Sequence, residues 1–280
     1  MNSLYLDAFY ACAQTRNFTR AAEKLYITQS ALSQRIKNLE GELGTTLIIR
    51  DRAGLRLTER GEELLRYCQT KEALEAEVAG RLRKGAGALS GQLRIGGFSS
   101  VMRSVILPAL APLLEKHDGV RLKLIARELA ELPALLRSGE IDFMVLDQKL
   151  EGDGLVAAKL GVERNVLVQK RGYKGAEVYL DHDEKDATTA KYLRRKSAAG
   201  LTRNYLDDVY GLIDGVKLGL GQAVLPLHLV AGAKELEVLE PGRTHDIPVV
   251  LHYFAQPFYT KLHQAAVEAL TARVPALLKN

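Results

Sequence analysis

The amino-terminal part of the chain contains the run Asn17-Phe-Thr-Arg-Ala-Ala-Glu-Lys-Leu-Tyr-Ile-Thr-Gln-Ser-Ala-Leu-Ser-Gln-Arg-Ile-Lys-Asn-Leu-Glu40, in which two short helical patterns meet at a turn. Thr19 predicts the start of one helix and Thr28 the start of the next, because threonine is a good N-cap. Gly44 then predicts a left-handed residue that ends the second of these helices. An earlier helix is indicated by apolar residues at a spacing of three and four, namely Leu6, Phe9, Tyr10 and Ala13.

The helix after Thr28 has two different faces. Its apolar stripe is Leu32, Ile36, Leu39 and Leu43, and its polar stripe is Gln29, Ser30, Ser33, Gln34 and Lys37. A polar stripe is usually just a solvated surface, but solvated helices mostly carry long glutamate and lysine side chains. Short hydrogen-bonding side chains let a helix lie deep in a major groove and reach base edges. The pattern therefore favours a DNA recognition helix.

A basic hairpin follows this helix. Two extended segments, Thr46–Ile49 and Leu55–Leu57, flank a turn and bring three cations suited to phosphates or the minor groove, Arg50, Arg52 and Arg56. Residues 1–60 hold nine Lys/Arg against six Asp/Glu, a net +3 of the formal +5 for all 280 residues. The charge bias is typical of a part that meets a polyanion. Three helices and a basic hairpin predict a winged helix-turn-helix.

A long helix is predicted from Thr58 to about Lys84. With Leu64 at heptad position a, four of the six a and d positions are apolar: Leu64, Tyr67, Leu74 and Val78. A heavily charged helix with so narrow an apolar face is expected to pair with another helix, and a self-dimer would place two winged domains on two half-sites. The glycine-rich residues 85–91 predict a flexible boundary.

Residues 92–280 alternate strand and helix patterns, which predicts a parallel α/β sheet. The predicted strands are Leu93–Gly96, Val120–Ala126, Ile141–Leu146 and Val162–Gln169, with a loosened pattern after Leu155. The predicted helices are Val101–Lys116, Glu131–Ser138, Asn204–Leu218 and Tyr259–Leu278. Gly219 to Pro226 reads as a turn into a further strand.

Several other classes of protein find little support in the sequence. No secretory signal or membrane span is expected, and two cysteines, Cys12 and Cys68, argue for packing roles in a reducing cytoplasm. Neither a nucleophile elbow nor a phosphate-binding loop occurs, so we expect no enzyme, no cofactor and no metal. Asp181-His182-Asp183 is better explained as a polar loop than as a metal site. A metabolite-binding protein or an enzyme with no DNA role is the alternative, and the helix-turn-helix pattern speaks against it.

The run 17–40 continuing through Leu43-Gly44, together with Leu57-Thr-Glu-Arg-Gly61 and the later Gly219-Leu-Gly…Leu-Pro226, resembles the LysR-type transcriptional regulators. The resemblance covers the whole chain and is most specific over residues 17–61. Leu47-Ile-Ile-Arg50 stands where the family usually has Leu-Phe-x-Arg. An aliphatic pair there is similar to the ArgP/LysG subgroup, whose members respond to lysine or arginine.

This resemblance implies a domain order. It consists of a winged helix-turn-helix domain over residues 1–58, a linker and dimerisation helix with a hinge over 59–90, and a periplasmic-binding-protein-like effector domain over 91–280. The effector domain would contain subdomain I, about 91–161 and 258–280, and subdomain II, about 162–257. The implied partners are promoter double-stranded DNA, a small effector such as lysine or arginine, further copies in a homodimer or homotetramer, and RNA polymerase.

The resemblance also implies the site residues. The DNA-binding set is Thr19, Arg20, Thr28, Gln29, Ser30, Ser33, Gln34, Lys37, Arg50, Arg52 and Arg56. The effector cleft is expected to be lined by Phe98, Ser99, Ser100, Val101, Asp147, the segment Leu201-Thr202-Arg203, and Val224.

The chemistry of the cleft residues allows two interpretations. Ser99 and Ser100 precede a predicted helix, so they can hold a carboxylate with hydroxyls and backbone N–H groups, or they can merely cap the helix. Asp147 follows an apolar strand and can pair with an ammonium or guanidinium, or it can be an ordinary loop aspartate. The acidic residue expected in the loop Phe98–Val101 for a lysine-type effector is absent from this chain.

Overall fold

The computed structural model describes residues 1–51, 54–85 and 88–279, and the chain divides into two compact units. The first unit comprises Met1–Gly91 and Ala134–Glu140, and the second comprises Gln92–Pro133 and Ile141–Asn280. Hydrophobic clusters lie within each unit. Every helix in the described part of the chain is too short or too polar to cross a bilayer.

The first unit contains the predicted three helices, hairpin and long helix. These are α1 (Ser3–Thr15), α2 (Phe18–Lys24), α3 (Gln29–Leu43), β1 (Ile48–Asp51), β2 (Gly54–Leu57) and α4 (Glu59–Lys84). The apolar stripes of α1 and α3 meet in one core, in which Phe9, Leu32 and Leu39 are completely buried. Cys12 and Cys68 lie in this core as predicted, and burial raises the pKa of each thiol to about 12. Both cysteines therefore act as packing residues.

Two details of the helical boundaries differ from the sequence prediction. Asn17, and not Thr19, caps α2, because its Oδ1 accepts the Arg20 N–H at 3.0 Å and leaves Phe18 inside the first turn, where it is buried. Leu43 was predicted in the buried stripe of α3 but is 38% exposed, since it is the last helical residue. Gly44, with φ of +64°, ends the helix as predicted.

The first turn of α4 is locked onto the hairpin. Thr58 caps it as predicted, because the Thr58 Oγ1 accepts the Gly61 N–H at 3.0 Å and donates to the Thr46 carbonyl at 2.8 Å. A Cβ on Gly61 would run into the Leu47 carbonyl, so only glycine allows this approach. Further along the helix, Leu64 and Leu65 join the core. The core of the first unit therefore extends into α4.

The second unit is a mixed α/β structure. Its strands are β3 (Ser90–Gly97), β4 (Gly119–Ala126), β5 (Phe143–Leu146), β6 (Leu155–Lys170), β7 (Tyr179–Asp181), β8 (Arg203–Tyr205), β9 (Ala223–Pro226), β10 (Leu236–Val238) and β11 (His245–Phe254). Its helices are α5 (Ser99–Val101), a π-helical turn Met102–Ile106, α6 (Leu107–Lys116), α7 (Leu132–Arg137), α8 (Thr188–Tyr192), α9 (Val209–Leu218), α10 (Leu227–Val230) and α11 (Lys261–Leu277). Strand β3 and helix α7 each cross a boundary between the units, β3 after Gly91 and α7 after Pro133, so most of α7 belongs to the first unit.

The prediction of a parallel sheet is wrong, because the main sheet contains both parallel and antiparallel pairs. The described main sheet has the order β10-β6-β11-β5-β3-β4, with β9 also paired to β6. β3 and β5 are parallel, but β11 runs antiparallel to β5 and β6, and β6 runs antiparallel to β9 and β10. The long antiparallel pair β6–β11 extends from His245 opposite Asn165 to Phe254 opposite Leu155.

Two local predictions in this unit are also corrected. The stretch after Leu155, where the pattern loosens, is the first part of the 16-residue strand β6, because its side chains are half-buried on a sheet that is paired along its length. The predicted helix from Asn204 begins only at Val209. Asp208 caps it by accepting the Tyr210 N–H at 2.7 Å, while Arg203–Tyr205 pairs with β7 as a strand.

A stack of aromatic rings at the start of α11 surrounds a neutral histidine. The ring of His263 lies 4.5 Å from those of Phe143 and Tyr259 and 4.9 Å from that of Tyr253. Its Nε2 is buried with no hydrogen-bond partner among the described residues, and burial lowers the pKa of His263 to about 4. The folded protein therefore resists protonation of this ring.

We expect the His263→Phe variant to lose part of the acid sensitivity of unfolding. The unfolded chain takes up a proton on His263 near pH 6.5 and the folded chain only near pH 4. Stability supplied by the neutral ring is thus complete above pH 6.5 and falls, by about 3 kcal/mol in total, as the pH drops to 4. Urea unfolding at pH 7.5 and 4.5 measures the difference. An unchanged slope in His263→Phe would contradict the assignment.

Candidate functional site

The N-cap of α3 decides which side of the helix faces the core and which faces solvent. Thr28 starts the helix by accepting the Ala31 N–H on its Oγ1 at 3.2 Å, which directs Leu32 and Ile36 into the core. The opposite side is open to solvent, where the exposed side chains are Gln29, Ser30, Gln34 and Lys37. Ser33, at the edge of this face, is half-buried. The predicted polar stripe is thus turned away from the core of its own unit.

The exposed amide and hydroxyl groups of α3 form local hydrogen bonds with neighbouring side chains. The Gln34 Nε2 donates to the Asn38 Oδ1 at 2.8 Å, and the Ser30 and Thr28 hydroxyl oxygens are 3.0 Å apart. Both contacts run along the surface of the helix and leave Gln34 and Ser30 exposed. Because exposed hydrogen bonds of this kind exchange readily with water, another polar surface can replace them.

Arg50 is brought to α3 and not to the tip of the hairpin. Its guanidinium carbon lies 3.3 Å from the centroid of the Phe18 ring, and its Nη2 donates to the Ser33 Oγ at 3.2 Å. Stacking on an aromatic ring restricts the guanidinium, so Arg50 presents a fixed cation beside the exposed face. This contact couples Arg50 to Ser33, a pairing that the sequence pattern does not show.

The other predicted DNA contacts are distributed around this face. Thr19 and Arg20 are exposed on α2, and Arg56 is exposed on β2. Arg52 lies outside the described residues. The structure therefore places a polar helix face, an exposed second helix and a basic strand on one unit.

Helix α4 carries apolar side chains in solvent beyond the part that joins the core. Tyr67 is 48% exposed, Leu74 37% and Val78 45%, and Leu82 is 83% exposed. Leu74 and Val78 are four residues apart and so lie on the same face. A row of exposed apolar side chains on a helix is typical of a surface that pairs with another protein chain.

In the second unit, the predicted serines do not act as helix caps. Ser99 and Ser100 form the first turn of α5, whose N-cap residue is Phe98, with no side-chain hydrogen bond at the cap. Ser100 is buried, and its hydroxyl donates to the Glu163 Oε1 at 2.8 Å. Val101 is completely buried, so it packs into the core instead of facing an open cleft.

Glu163 is the centre of a buried polar cluster that sequence reasoning missed. The His228 Nε2 lies 3.1 Å from the same Oε1, and the side chains of Glu163 and His228 are each 3% exposed. Burial raises the pKa of Glu163 to about 7, against the hydrogen bonds from Ser100 and Asn165, and burial lowers the pKa of His228. Both shifts favour the uncharged forms. The run Val162-Glu163-Arg164-Asn165, polar within an apolar strand, was the one available signal.

The remaining predicted cleft residues form no side-chain hydrogen bond or ion pair with this cluster in the described part of the chain. Asp147 is half-buried at the end of β5, and its carboxylate makes no hydrogen bond or ion pair with the described part of the chain. Thr202 is exposed, whereas Val224 is buried in a cluster with Leu167 and Tyr179.

A buried ion pair explains the first residue of the polar run that sequence reasoning treated as a loop. The Arg203 Nη1 lies 3.0 Å from the Asp181 Oδ2, and the two side chains are 11% and 2% exposed. Thr189 donates to the other oxygen of Asp181. Asp181 is therefore a structural partner of Arg203 that ties β7 to β8, and the described residues contain no group of three or more potential metal ligands.

Comparison with known families agrees with both units. Residues 5–62 match the family described as "Bacterial regulatory helix-turn-helix protein, lysR family", and residues 86–275 match "LysR substrate binding domain". These matches confirm the predicted resemblance and the predicted fold class. A helix-turn-helix family over the first unit gives no support to the alternative of a metabolite-binding protein or an enzyme with no DNA role.

Individual proteins show the same relationship. The chain is 33% identical over 225 residues to the HTH-type transcriptional regulator ArgP of Salmonella dublin, covering 80% of this chain and 72% of that protein. It is 33% identical over 199 residues to the regulator HdfR of Yersinia enterocolitica, covering 69% and 66%. Full-length LysG from Corynebacterium glutamicum with bound effector Arg has the same fold, with a TM-score of 0.78, 22% identity and coverage of 100% and 99%.

Proposed function

Because the chain belongs to the LysR family of bacterial helix-turn-helix transcriptional regulators, we propose that its winged domain, residues 1–58, reads a specific promoter site with α3. In the same proposal, residues 59–90 hold two copies together and residues 91–280 bind the small effector that gates DNA binding or activation. Like its relatives, which are transcriptional regulators, the protein is a regulator and not an enzyme.

The observation that carries the DNA part of the proposal is the exposed polar face of α3. Gln29, Ser30 and Gln34 offer donors and acceptors that match base edges, and Lys37 suits a phosphate. Arg50, fixed on Phe18 beside Ser33, adds a cation at the edge of the same face. The further contacts in the proposal are Thr19, Arg20, Thr28, Arg52 and Arg56.

Self-association is the second part of the proposal. The exposed apolar residues of α4 support a homodimer or homotetramer, in which two winged domains meet two half-sites of a palindrome. We place the protein in the cytoplasm, where promoter DNA lies, and a bound regulator there can contact RNA polymerase.

The effector is the third part, and we propose a basic amino acid. LysG, which shares the fold, was solved with bound effector Arg. In this chain Glu163 accepts a hydrogen bond from Ser100, and Asp147 is half-buried at the end of β5. We propose that these two carboxyl groups belong to the cleft, with Phe98, Ser99, Ser100 and Thr202 as its other lining.

The test is selection of DNA from a random library by the purified full-length protein, followed by titration of the selected site with L-arginine and L-lysine. We expect a palindromic motif with half-sites about one helical turn apart, since the dimer is two-fold symmetric. We also expect one of the two amino acids to change the affinity or the footprint, and L-citrulline to leave both unchanged. Failure to enrich any motif would contradict the proposed DNA reading.

A further inference from the structure

The second unit contains a buried carboxyl group whose polar partners are a serine and a histidine. Glu163 on β6 receives hydrogen bonds from the Ser100 hydroxyl at 2.8 Å and shares a contact of 3.1 Å with His228. No lysine or arginine of the described residues pairs with it. Buried carboxylates are normally paired, because an isolated charge in a low-dielectric interior is costly. Full ionisation of Glu163 therefore calls for a cation beside it, because burial lowers the pKa of His228 and keeps that ring neutral.

The same cluster contains a buried nitrogen that has no hydrogen-bond partner among the described residues. The Nδ1 of His228 is buried and has no hydrogen-bond partner in the described part of the chain, although the side chain is 3% exposed. Buried polar atoms without a protein partner are few in native proteins, and each is a candidate to bind a polar group from outside the chain. The buried polar cluster joins three separate elements. Ser100 is on α5, Glu163 on β6 and His228 on α10.

We propose that Glu163 is the receptor for a cationic nitrogen of the effector, a primary ammonium or a guanidinium, and that His228 completes its hydrogen bonds. The inference rests on the proposed function, since it names the residue that selects the charge of the effector. A cationic nitrogen would stabilise the ionised form of the buried carboxyl group. Its N–H groups can donate to Glu163 beside or in place of Ser100 and His228.

Proton balance follows from the charges around Glu163. Without ligand the carboxyl group is near half protonation at pH 7, because burial raises its pKa to about 7. Among the described residues, the titratable groups linked to Glu163 are His228 on α10 and Tyr210 on α9, and burial keeps both neutral by lowering the pKa of the first and raising that of the second. The guanidinium carbon of Arg103 lies 4.4 Å from the centroid of the Tyr210 ring, and in the described part of the chain Arg103 forms no ion pair with Glu163. When the cation enters, the carboxyl proton leaves to solvent and the ligand N–H donates to the resulting carboxylate.

Isothermal calorimetry with the full-length protein tests this. L-arginine, L-lysine and the neutral isostere L-citrulline are titrated into the wild type, Glu163→Gln and Glu151→Gln. We expect Glu163→Gln to weaken the binding of the cationic ligand by about 10- to 150-fold, the value of a hydrogen bond to a charged group. Glu151→Gln makes the same chemical change at an exposed carboxylate and should bind as the wild type does.

A wild-type measurement keeps the inference testable if Glu163→Gln fails to fold. Binding enthalpies in two buffers of different ionisation enthalpy give the protons released, and we expect about half a proton per ligand at pH 7. Equal affinities of Glu163→Gln and wild type, or no proton release, would overturn the role of Glu163 and leave the proposed effector in place. If the wild type binds neither arginine nor lysine, the basic effector is wrong and the inference falls with it.

Discussion

Replacing both Leu74 and Val78 with glutamate is expected to weaken binding of the full-length protein to its operator by about 100-fold or more. The two side chains are 37% and 45% exposed on one face of α4, where a partner helix would cover them. Glutamates on facing helices repel and stay hydrated, so the dimer should dissociate. Each winged domain then binds one half-site alone. The gain in affinity from a second winged domain held at high effective concentration near the other half-site is lost. Analytical ultracentrifugation and mobility-shift titration measure the two effects.

The matched control is Arg83→Glu, which changes the net charge by the same −2 on another exposed face of α4. It should remain dimeric and bind the operator as the wild type does. A dimeric Leu74→Glu/Val78→Glu protein with wild-type affinity would refute pairing through this face. Shortening the chain to residues 1–58 is a poorer test, because Leu64 and Leu65 belong to the core of the winged domain.

Gln34→Ala is expected to lower affinity for the operator by about 5- to 150-fold while leaving binding to unrelated DNA nearly unchanged. A bidentate contact between a glutamine and a base is worth about 1–3 kcal/mol of discrimination, and the exposed Gln34 is placed to make one. The fold should not suffer, since alanine is a better helix former and the hydrogen bond to Asn38 is exposed. Competition titrations with operator and scrambled duplexes measure both affinities.

Arg56→Ala provides the contrasting variant. Arg56 is exposed on the hairpin strand β2, and loss of a phosphate contact should weaken binding to all sequences and reduce the slope of log affinity against log salt by about one per subunit. Equal losses on operator and scrambled DNA for Gln34→Ala would show that this glutamine does not read bases.

The winged domain was largely predictable because its signals are local. Caps, left-handed glycine and helical periodicity act over three or four residues, and Thr28, Gly44 and Thr58 take the predicted roles. The error at Thr19 arose where two residues that can cap, Asn17 and Thr19, flank one apolar residue. Burial of Phe18 decided between them.

Contacts over long sequence distances were decided only by the tertiary structure. Ser100 and His228 lie 63 and 65 residues from Glu163, and Arg50 lies 17 residues from Ser33. Strand direction is likewise set by which strand comes alongside, so alternating patterns gave β5 and β3 but not the antiparallel β11 beside them. Periodicity reports which side of an element is buried, whereas charge balance in a core depends on which elements meet there. For this reason the sequence alone predicted a DNA-reading helix, whereas only the tertiary structure brought Glu163 together with Ser100 and His228.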